Sequence, residues 1–197
     1  LDLLLSDHNT HCFSCPGNGD CKLQDYAYEY GVETSSYTGA KSGGEIDDSN
    51  KFFTYDPSLY ILCHRCVNTC NQIVGRGAIA TLERGFQSVI GNGEGLWADG
   101  TCESCGNCVQ ACPTGALTMK RRKKYRAYQV DKKVLTTCPH CATGCQYYLL
   151  VKDGKIVDTE AVNGPSNKGL LCVKGRSGCF DFVQSPERIK YPLIKNK

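Results

Sequence analysis

The sequence predicts an α+β fold made of small cysteine-rich domains in series. The chain has 197 residues, of which 15 are cysteines, and most of these lie two or three residues from the next one. A segment with such cysteines recurs after a shift of 42 residues, which indicates an internal repeat. Only short helical and hairpin patterns lie between the cysteine groups, which is typical of small domains.

The composition is ordinary for a soluble protein. Hydrophobic residues make up 41% and charged residues 22% of the chain, and the formal net charge is +3. No stretch approaches the ~20 apolar residues that a membrane span requires. The charge is too small to indicate nucleic-acid binding. The basic stretch 120–126 could dock a partner, but most such stretches are solvated linkers, and we predict a linker here.

The spacing of the cysteines predicts metal binding rather than disulfides. An odd count leaves one cysteine unpaired, and CxxC pairs are too tight for mutual pairing but suit the coordination sphere of a metal. Zinc ribbons use two CxxC pairs per site. Here the groups contain three or four cysteines, which is typical of iron–sulfur clusters. Cys179 lies outside these groups, and we expect it to be a small buried hydrophobic residue.

Patterns between the cysteines divide the chain into three domains and a linker. A helical pattern runs from Leu23 to Tyr30, and a β-hairpin pattern flanks Lys152-Asp153-Gly154-Lys155. A short helix is also predicted at the start of the chain. The predicted segments are a first domain at 1–32, a linker at 33–55 rich in Ser, Gly, Thr and Asp, a ferredoxin-like domain at 56–125 and a third domain at 126–197.

The repeat contains the most specific motif of the chain, Cys102-x2-Cys105-x2-Cys108-x3-Cys112-Pro113. In two-cluster ferredoxins, the first three thiolates of such a run hold one cluster and the fourth ligates the other cluster. The 42-residue shift superposes Cys63, Cys66 and Cys70 on the second, third and fourth of these cysteines. If each repeat gives its last cysteine to the cluster of the other, the ligand sets are crossed, and two sites are predicted. Site 2 is formed by Cys63, Cys66 and Cys112. Site 3 is formed by Cys70, Cys102, Cys105 and Cys108.

Site 2 lacks one thiolate, because the shift places Tyr60 where the repeat has Cys102. A phenolate can ligate iron, but its high pKa and long reach make it a poor substitute for a thiolate. Three outcomes are open: a [4Fe–4S] cluster completed by water or by an oxygen such as that of Asp56, a [3Fe–4S] cluster, or an empty relic filled by the Tyr60 ring. We expect a cluster, since three thiols would otherwise be left without a purpose.

Two further cysteine groups complete the set of predicted metal sites. Cys12-x2-Cys15-x5-Cys21 supplies three thiolates that need a fourth ligand. His11 is adjacent to Cys12 and would strain a shared metal, whereas His8, four positions before Cys12, could be either a ligand or an ordinary surface histidine. Site 4 is a closed four-ligand group in which a gap of 26 residues separates three cysteines from the last, and its members are Cys138, Cys141, Cys145 and Cys172.

The first two domains resemble the large iron–sulfur subunit of complex I. The stretch from Leu3-Leu-Leu-Ser-Asp-His8 to Leu23-Gln-Asp-Tyr is similar to the one-histidine, three-cysteine segment of that family. This resemblance implies that His8 is the fourth ligand, so that site 1 consists of His8, Cys12, Cys15 and Cys21. The stretch Asp56-Pro-Ser-Leu-Tyr60-Ile-Leu-Cys63 resembles the ferredoxin segment of the family, in which a cysteine occupies the position of Tyr60.

The third domain resembles the opening of molybdopterin-dependent oxidoreductases, and most closely the alpha subunits of cytoplasmic formate dehydrogenases linked to NAD(P) or ferredoxin. The residues concerned are Thr136-Thr-Cys138-Pro-His-Cys141-Ala-Thr-Gly-Cys145, Leu171-Cys172-Val-Lys174-Gly175-Arg176 and Ser185-Pro-Glu-Arg188. The resemblance implies a [2Fe–2S] domain before residue 1, a molybdenum or tungsten bis-pterin domain after residue 197, and no catalytic residue within the chain. It also implies that Lys174 lies on the electron path between site 4 and the pterin.

The resulting hypothesis is electron relay through four [4Fe–4S] sites. Electrons from formate would enter at site 4 and leave from site 1 toward a flavin or ferredoxin partner, and the reverse direction would serve CO2 reduction. The alternatives are a free-standing polyferredoxin carrier and an iron–sulfur subunit of the hydrogenase or complex I type. We expect the chain to begin and end within longer folding units, whereas a free-standing carrier would end with a closed fold. The segment that contains site 4 argues against a hydrogenase.

Overall fold

A computed structural model describes residues 1–178 and 182–195. Cys179 lies outside the described residues. The chain forms two compact units, residues 1–130 and residues 131–197. The first unit ends at Val130. None of the helices in the described ranges is long and apolar enough to cross a membrane.

The first unit opens with two short helices, α1 (Asp2–Asp7) and α2 (Lys22–Glu29), as the sequence predicts. The sulfur of Cys21 caps α2 by accepting a hydrogen bond from the Gln24 N–H at 3.4 Å. The helix ends before Gly31, which adopts a left-handed φ of 65°. Of the predicted apolar face, Leu23 is buried but Tyr26 and Tyr30 are exposed.

The repeat is visible in the backbone. Each copy contains a cysteine loop followed by a short helix, α3 (Arg65–Asn68) in the first copy and α4 (Asn107–Ala111) in the second. The two residues that turn each loop are left-handed: Leu62 and His64 in the first copy, Ser104 and Gly106 in the second. These pairs are related by the same 42-residue shift as the cysteines, so the two loops have the same backbone conformation at these positions.

Three-residue strands hold the repeat together. The antiparallel pairs are β1 (Phe53–Tyr55) with β4 (Leu117–Met119), and β2 (Ala80–Leu82) with β3 (Val89–Gly91). Phe53 is 1% exposed and lies in the main core of this unit with Leu59, Ile79 and Trp97. The core therefore sits between the two cysteine loops.

Part of the predicted linker segment is structured. Strand β1 falls inside 33–55, and Asp47 forms an isolated antiparallel bridge with Tyr55. Asn50 is buried, where its side chain accepts the Phe52 N–H and donates to Ser104 Oγ. The polar composition of this segment therefore serves side chain-to-backbone hydrogen bonds as well as solvation.

The basic stretch is not the solvated linker that its composition predicts. Residues 120–124 form a 3-10 turn that continues directly from β4. Arg122 is only 14% exposed at its side chain and forms an ion pair with Asp20 at 2.9 Å. Its guanidinium also lies over the ring of Tyr125, which is buried. The stretch thus ties the ferredoxin-like segment to the loop of the first cysteine group.

The second unit contains a three-stranded antiparallel sheet and, after it, a short helix. Its strands β5 (Lys132–Thr137), β6 (Gln146–Lys152) and β7 (Lys155–Ala161) lie in that order, and α5 spans Val173–Ser177. The predicted hairpin is confirmed, since Asp153 and Gly154 both have positive φ and Lys152 pairs with Lys155. This is the two-residue turn whose twist suits a hairpin. Tyr147, at 1% exposure, anchors the small core beside Cys138.

Candidate iron–sulfur sites

Site 3 surrounds a cavity. Its members Cys70, Cys102, Cys105 and Cys108 all line this one cavity, together with Arg76 and Trp97. Hydrogen-bond donors aim at three of the sulfurs, each at 3.4 Å: the Ala78 and Ser104 N–H groups and the Asn107 side-chain amide. Burial, followed by the charges of nearby thiols, raises the pKa of Cys108 well above its usual value. The crossed grouping predicted from the repeat is therefore brought together in space.

Site 2 surrounds a second cavity in the same unit. Its three cysteines line this cavity with Tyr60 and with apolar side chains that include Ile90 and Leu117. Burial, followed by the nearby thiol of Cys112, raises the pKa of Cys66 to about 12. Cys112, at the end of α4, thus reaches the first copy of the repeat rather than the cysteines beside it in the chain.

Tyr60 closes one side of the site 2 cavity. The residue is 8% exposed, and its Oη lies 3.4 Å from Nδ1 of His64. Burial raises the pKa of Tyr60, so the phenol stays protonated in the metal-free chain. His64 Nδ1 also lies 3.0 Å from Thr81 Oγ1. His64 is not among the residues lining the cavity, so the hydroxyl contacts a group outside the cavity lining.

Asp56, considered as an alternative oxygen ligand, is occupied elsewhere. Its Oδ1 accepts hydrogen bonds from the Ser58 N–H at 3.0 Å and the Ser58 hydroxyl at 2.6 Å. The carboxylate thereby caps the 3-10 turn Pro57–Leu59. Asp56 is also not one of the residues that line the site 2 cavity. The structure therefore does not bring this oxygen to the site.

Site 1 lies in the loop between α1 and α2. Burial raises the pKa values of both Cys15 and Cys21, and the charge of Cys12 raises them further. The Gly17 N–H donates to Cys15 Sγ at 3.4 Å. The three thiols are therefore electrostatically coupled, and two of them accept backbone N–H groups of their own loop or helix.

His8 is a buried residue rather than the surface histidine considered from its spacing. It is 6% exposed, whereas His11 is exposed. Within the described part of the chain, His8 Nδ1 is buried and has no hydrogen-bond partner. Burial, followed by the charge of Lys41, lowers the pKa of His8, which favours the neutral imidazole that ligates metals. These properties fit a ligand role, and the assignment itself stays a prediction.

Replacing His8 with cysteine is expected to keep the site 1 cluster but to lower its reduction potential. A thiolate adds a negative charge that a neutral imidazole lacks, which disfavours the reduced state. Histidine ligation raises the potential of Rieske centres, and we expect a decrease on the order of 100 mV here. Redox titration followed by EPR of the complete enzyme measures this value. An unchanged or raised midpoint would argue against His8 as the ligand.

Site 1 packs tightly against the turn that follows Cys112. A Cβ at Gly115 would lie 2.7 Å from Cys15 Sγ and 3.3 Å from Leu59 Cδ1. Facing it, a Cβ at Gly17 would lie 3.1 Å from the Gly115 backbone. Glycine is therefore required at residue 115 because of this close approach.

Gly115→Ala is expected to displace Cys15 and reduce the iron content of site 1, with a stability loss of about 1–3 kcal/mol from overpacking. Gly39→Ala is the control, since a Cβ there meets no heavy atom within 4 Å. Iron analysis and the EPR spectrum of site 1 measure the effect. Identical spectra for both variants would show that the loop accommodates the methyl group.

Site 4 lies at the open edge of the second unit. The Cys138 N–H donates to the Cys145 carbonyl at 2.7 Å, which closes the cysteine loop. Burial, followed by the charges of the other three thiols, raises the pKa of Cys145. Cys138 is buried, whereas Cys141 and Cys172 are exposed. One side of this site therefore faces away from the core of the unit.

Lys174 lies next to site 4. A hydrogen bond to Thr143, and to a smaller extent the charge of Lys174, lowers the pKa of Cys141. The side chain is exposed and stands in α5, two residues after Cys172. This position is compatible with the predicted role on an electron path, which stays a prediction.

The donor sets fit iron–sulfur clusters better than a hard or single metal ion. Thiolates are soft ligands that favour such clusters. Within the described ranges, no three histidine, cysteine or carboxylate side chains converge closely enough to hold one metal ion. In the repeat the cysteines instead stand around the two cavities. Since buried thiols with raised pKa values are neutral, cluster binding at these sites releases protons.

Sequence reasoning did not find three neighbours of the sites: Trp97 and Arg76 at site 3, and His64 beside Tyr60. One feature of the sequence could have drawn attention to Trp97, since it is the only tryptophan of the chain. For His64 the signal was its alignment with Gly106, where a left-handed residue is needed.

Known protein families match all three cysteine-rich segments. Residues 1–36 match the iron-sulfur binding region of NADH-ubiquinone oxidoreductase-G, and residues 58–118 match the ferredoxin-like domain of NADH-quinone oxidoreductase subunit 3. Residues 101–155 match a 4Fe-4S dicluster domain, and residues 131–184 match the molybdopterin oxidoreductase Fe4S4 domain. The fold and these matches define the class: several iron–sulfur, ferredoxin-like domains in series, similar to iron–sulfur segments of NADH-linked and molybdopterin oxidoreductases.

Three individual relatives show which proteins of this class the chain is similar to. The chain is 37% identical to the second G-type subunit of NADH-quinone oxidoreductase from Rhizobium meliloti over 99% of its length, and 33% identical to the NADPH-Fe(3+) oxidoreductase subunit alpha of Geobacter sulfurreducens over 100%. A Staphylococcus haemolyticus protein provisionally named a formate dehydrogenase is 26% identical over 99%. The chain spans 23% to 24% of the length of these relatives.

A solved structure shares the fold. The crystal structure of an NAD+-reducing [NiFe]-hydrogenase in the H2-reduced state contains a chain with a TM-score of 0.56 and 30% sequence identity, covering 60% of this chain and 51% of that one. Together these comparisons confirm the resemblance to complex I-type iron–sulfur subunits and to molybdopterin oxidoreductases that the sequence indicated.

Proposed function

We propose that this chain conducts electrons between a molybdenum or tungsten–pterin formate site and a partner that carries a flavin or a ferredoxin-type cluster. The observation that carries the proposal is the pair of cavities with crossed cysteine sets, because crossed ligation is the arrangement of two-cluster ferredoxins. When bound, [4Fe–4S] clusters at sites 1 to 4 supply one-electron carriers. The pterin site and a [2Fe–2S] domain are proposed for flanking parts of the longer protein.

The protein residues set the properties of these carriers. Cys66 and Cys108 are buried in the core of the first unit, and Cys70, Cys102 and Cys112 pack against it, which limits the access of water to the clusters. N–H groups that donate to the sulfurs stabilise the thiolates in advance of cluster binding. Site 4, with Cys141 and Cys172 exposed, is the site at which a following domain could contact the cluster directly. We place electron entry from formate there and electron exit at site 1, in the cytoplasm.

A second candidate is an NADH- or NADPH-linked oxidoreductase without formate chemistry. The observation that favours it is the higher identity to the NADH-quinone and NADPH-Fe(3+) oxidoreductase subunits than to the formate dehydrogenase-named relative. The two candidates share the iron–sulfur sites and differ in the electron donor.

The test uses the complete anaerobically purified complex. Formate, NADH and NADPH are added separately, and cluster reduction is followed by visible absorption and EPR. Formate is expected to reduce the clusters, with NAD(P)+ or ferredoxin able to reoxidise them. Reduction by NADH or NADPH with no response to formate would select the second candidate. A complex without acid-labile sulfide would contradict both.

A further inference from the structure

Trp97 stands at site 3 with an unused hydrogen-bond donor. The side chain is 3% exposed, and its ring lines the same cavity as the four cysteines of site 3. Among the described residues, its indole Nε1 is buried and has no hydrogen-bond partner. Buried polar groups are nearly always paired, so an orphaned N–H at the wall of a cofactor cavity indicates that the cofactor supplies the acceptor.

The position of the indole is fixed from several sides. The Trp97 backbone N–H donates to Asp47 Oδ2 at 2.6 Å, and the following N–H of Ala98 donates to Ser49 Oγ at 3.0 Å. The ring packs edge-on against Phe53 and Tyr55, with centroids 5.4 Å away in both cases. The donor is therefore held in place before any cluster binds.

The outer groove does not account for the free N–H. Trp97 also lines a wider surface groove with Tyr55, Leu96 and Asn92. Within the described residues, none of the groups that line this groove accepts a hydrogen bond from Nε1. The cavity of site 3 is the other described space that the ring borders, and it contains soft, electron-rich acceptors: the cysteine sulfurs and, in the loaded protein, the sulfides of a cluster.

We propose that the Trp97 indole N–H donates a hydrogen bond to a sulfur of the site 3 cluster and thereby raises its reduction potential. This inference rests on the proposed function, since it requires a cluster at site 3. A donor next to sulfur stabilises the more negative, reduced state of the cluster more than the oxidised state. Trp97 is thus a tuning residue that makes site 3 easier to reduce, and it acts without ligating iron.

Trp97→Phe is the principal test, made in the complete complex. The variant keeps an aromatic ring but removes the N–H, and the midpoint potential of site 3 is expected to fall. We expect about a tenfold change in the ratio of oxidised to reduced cluster at a fixed potential, which corresponds to about 59 mV for a one-electron couple. The midpoints of the other sites and the iron content should stay as in the wild type.

Tyr55→Phe is the matched control. Tyr55 packs against Trp97 in the same aromatic group, and its hydroxyl accepts the Ile90 N–H at 3.4 Å. It lines the outer groove and not the site 3 cavity. Loss of this hydroxyl is therefore expected to leave the site 3 midpoint unchanged, so a decrease in both variants would indicate general loosening of the core and overturn the proposal.

A second measurement covers the case in which Trp97→Phe loses iron. Wild-type complex containing indole-15N tryptophan is reduced, and pulsed EPR on the site 3 signal measures the coupling to the indole nitrogen. A coupling supports the hydrogen bond. Its absence, or an unchanged midpoint in an iron-replete Trp97→Phe variant, would overturn the proposal and place the N–H against the Phe53 ring. Wild-type complex with no cluster signals would instead overturn the proposed function.

Discussion

Cys70→Ser is expected to deplete the cluster of site 3 of iron while leaving site 2 in place. In the chain, Cys70 follows the cysteines of site 2, yet in the structure it lines the cavity of site 3, where the Ala78 N–H donates to its sulfur. Removing one of four thiolates leaves an iron without its ligand. We expect the loss of at least one iron, and of about four if the cube does not persist, because the iron that has lost its thiolate is the easiest one to remove.

Cys112→Ser supplies the reciprocal variant. Cys112 belongs to the CxxCxxCxxxC run of site 3 in sequence, but its thiol lies in the site 2 cavity. This variant should keep the site 3 spectrum and change only site 2. Iron and sulfide analysis with EPR of each reduced variant measures both effects. If Cys70→Ser removed the site 2 signal and Cys112→Ser removed the site 3 signal, as uncrossed loops require, the crossed assignment would be wrong.

The sequence was sufficient for this assignment because ligand spacing is a local pattern. Cysteines two residues apart, and a repeat with a fixed shift, fix the loop geometry, and the structure shows that geometry in the left-handed residues Ser104 and Gly106. The short helices and the Asp153-Gly154 hairpin were predicted for the same reason, since turn residues and periodicity act over a few positions. Their signals do not depend on distant contacts.

The elements that were missed depend on contacts between distant residues. Strand β1 pairs with β4 although more than 60 residues separate Phe53 from Met119, and three-residue strands carry little periodicity. The fold of the basic stretch depends on Asp20, which lies about 100 residues before Arg122. Local composition indicates a solvated segment in both cases. The role of Trp97 likewise needed the cavity and the orphaned indole N–H before it could be inferred.

The protein environment of site 2 would leave one iron of a cluster without a protein ligand. The Tyr60 hydroxyl is directed to His64, and burial keeps the phenol protonated through its raised pKa. Asp56 is held by Ser58. His64 occupies a left-handed position that its counterpart Gly106 adopts freely, at a cost of about 1–2 kcal/mol for a non-glycine residue. Tyrosine and histidine thus replace cysteine and glycine together and contact each other.

Tyr60→Cys is therefore expected to convert site 2 into a conventional four-thiolate site. The wild-type cluster should lose its unligated iron in air and show the EPR signal of an oxidised [3Fe–4S] centre, because an iron without a thiolate is the easiest one to remove. The variant should hold about one more iron per chain after the same exposure and lack that signal. Iron analysis and EPR before and after air exposure measure the difference.

Tyr60→Phe separates the two roles that tyrosine could have at site 2. This variant keeps the ring that lines the cavity and removes only the hydroxyl that contacts His64. Since the hydroxyl contacts His64, Tyr60→Phe should match the wild type in iron content and air sensitivity. A site that becomes less stable in Tyr60→Phe would show that the phenolate ligates iron. Wild-type protein that resists air as well as Tyr60→Cys does would show that another group already completes the cluster.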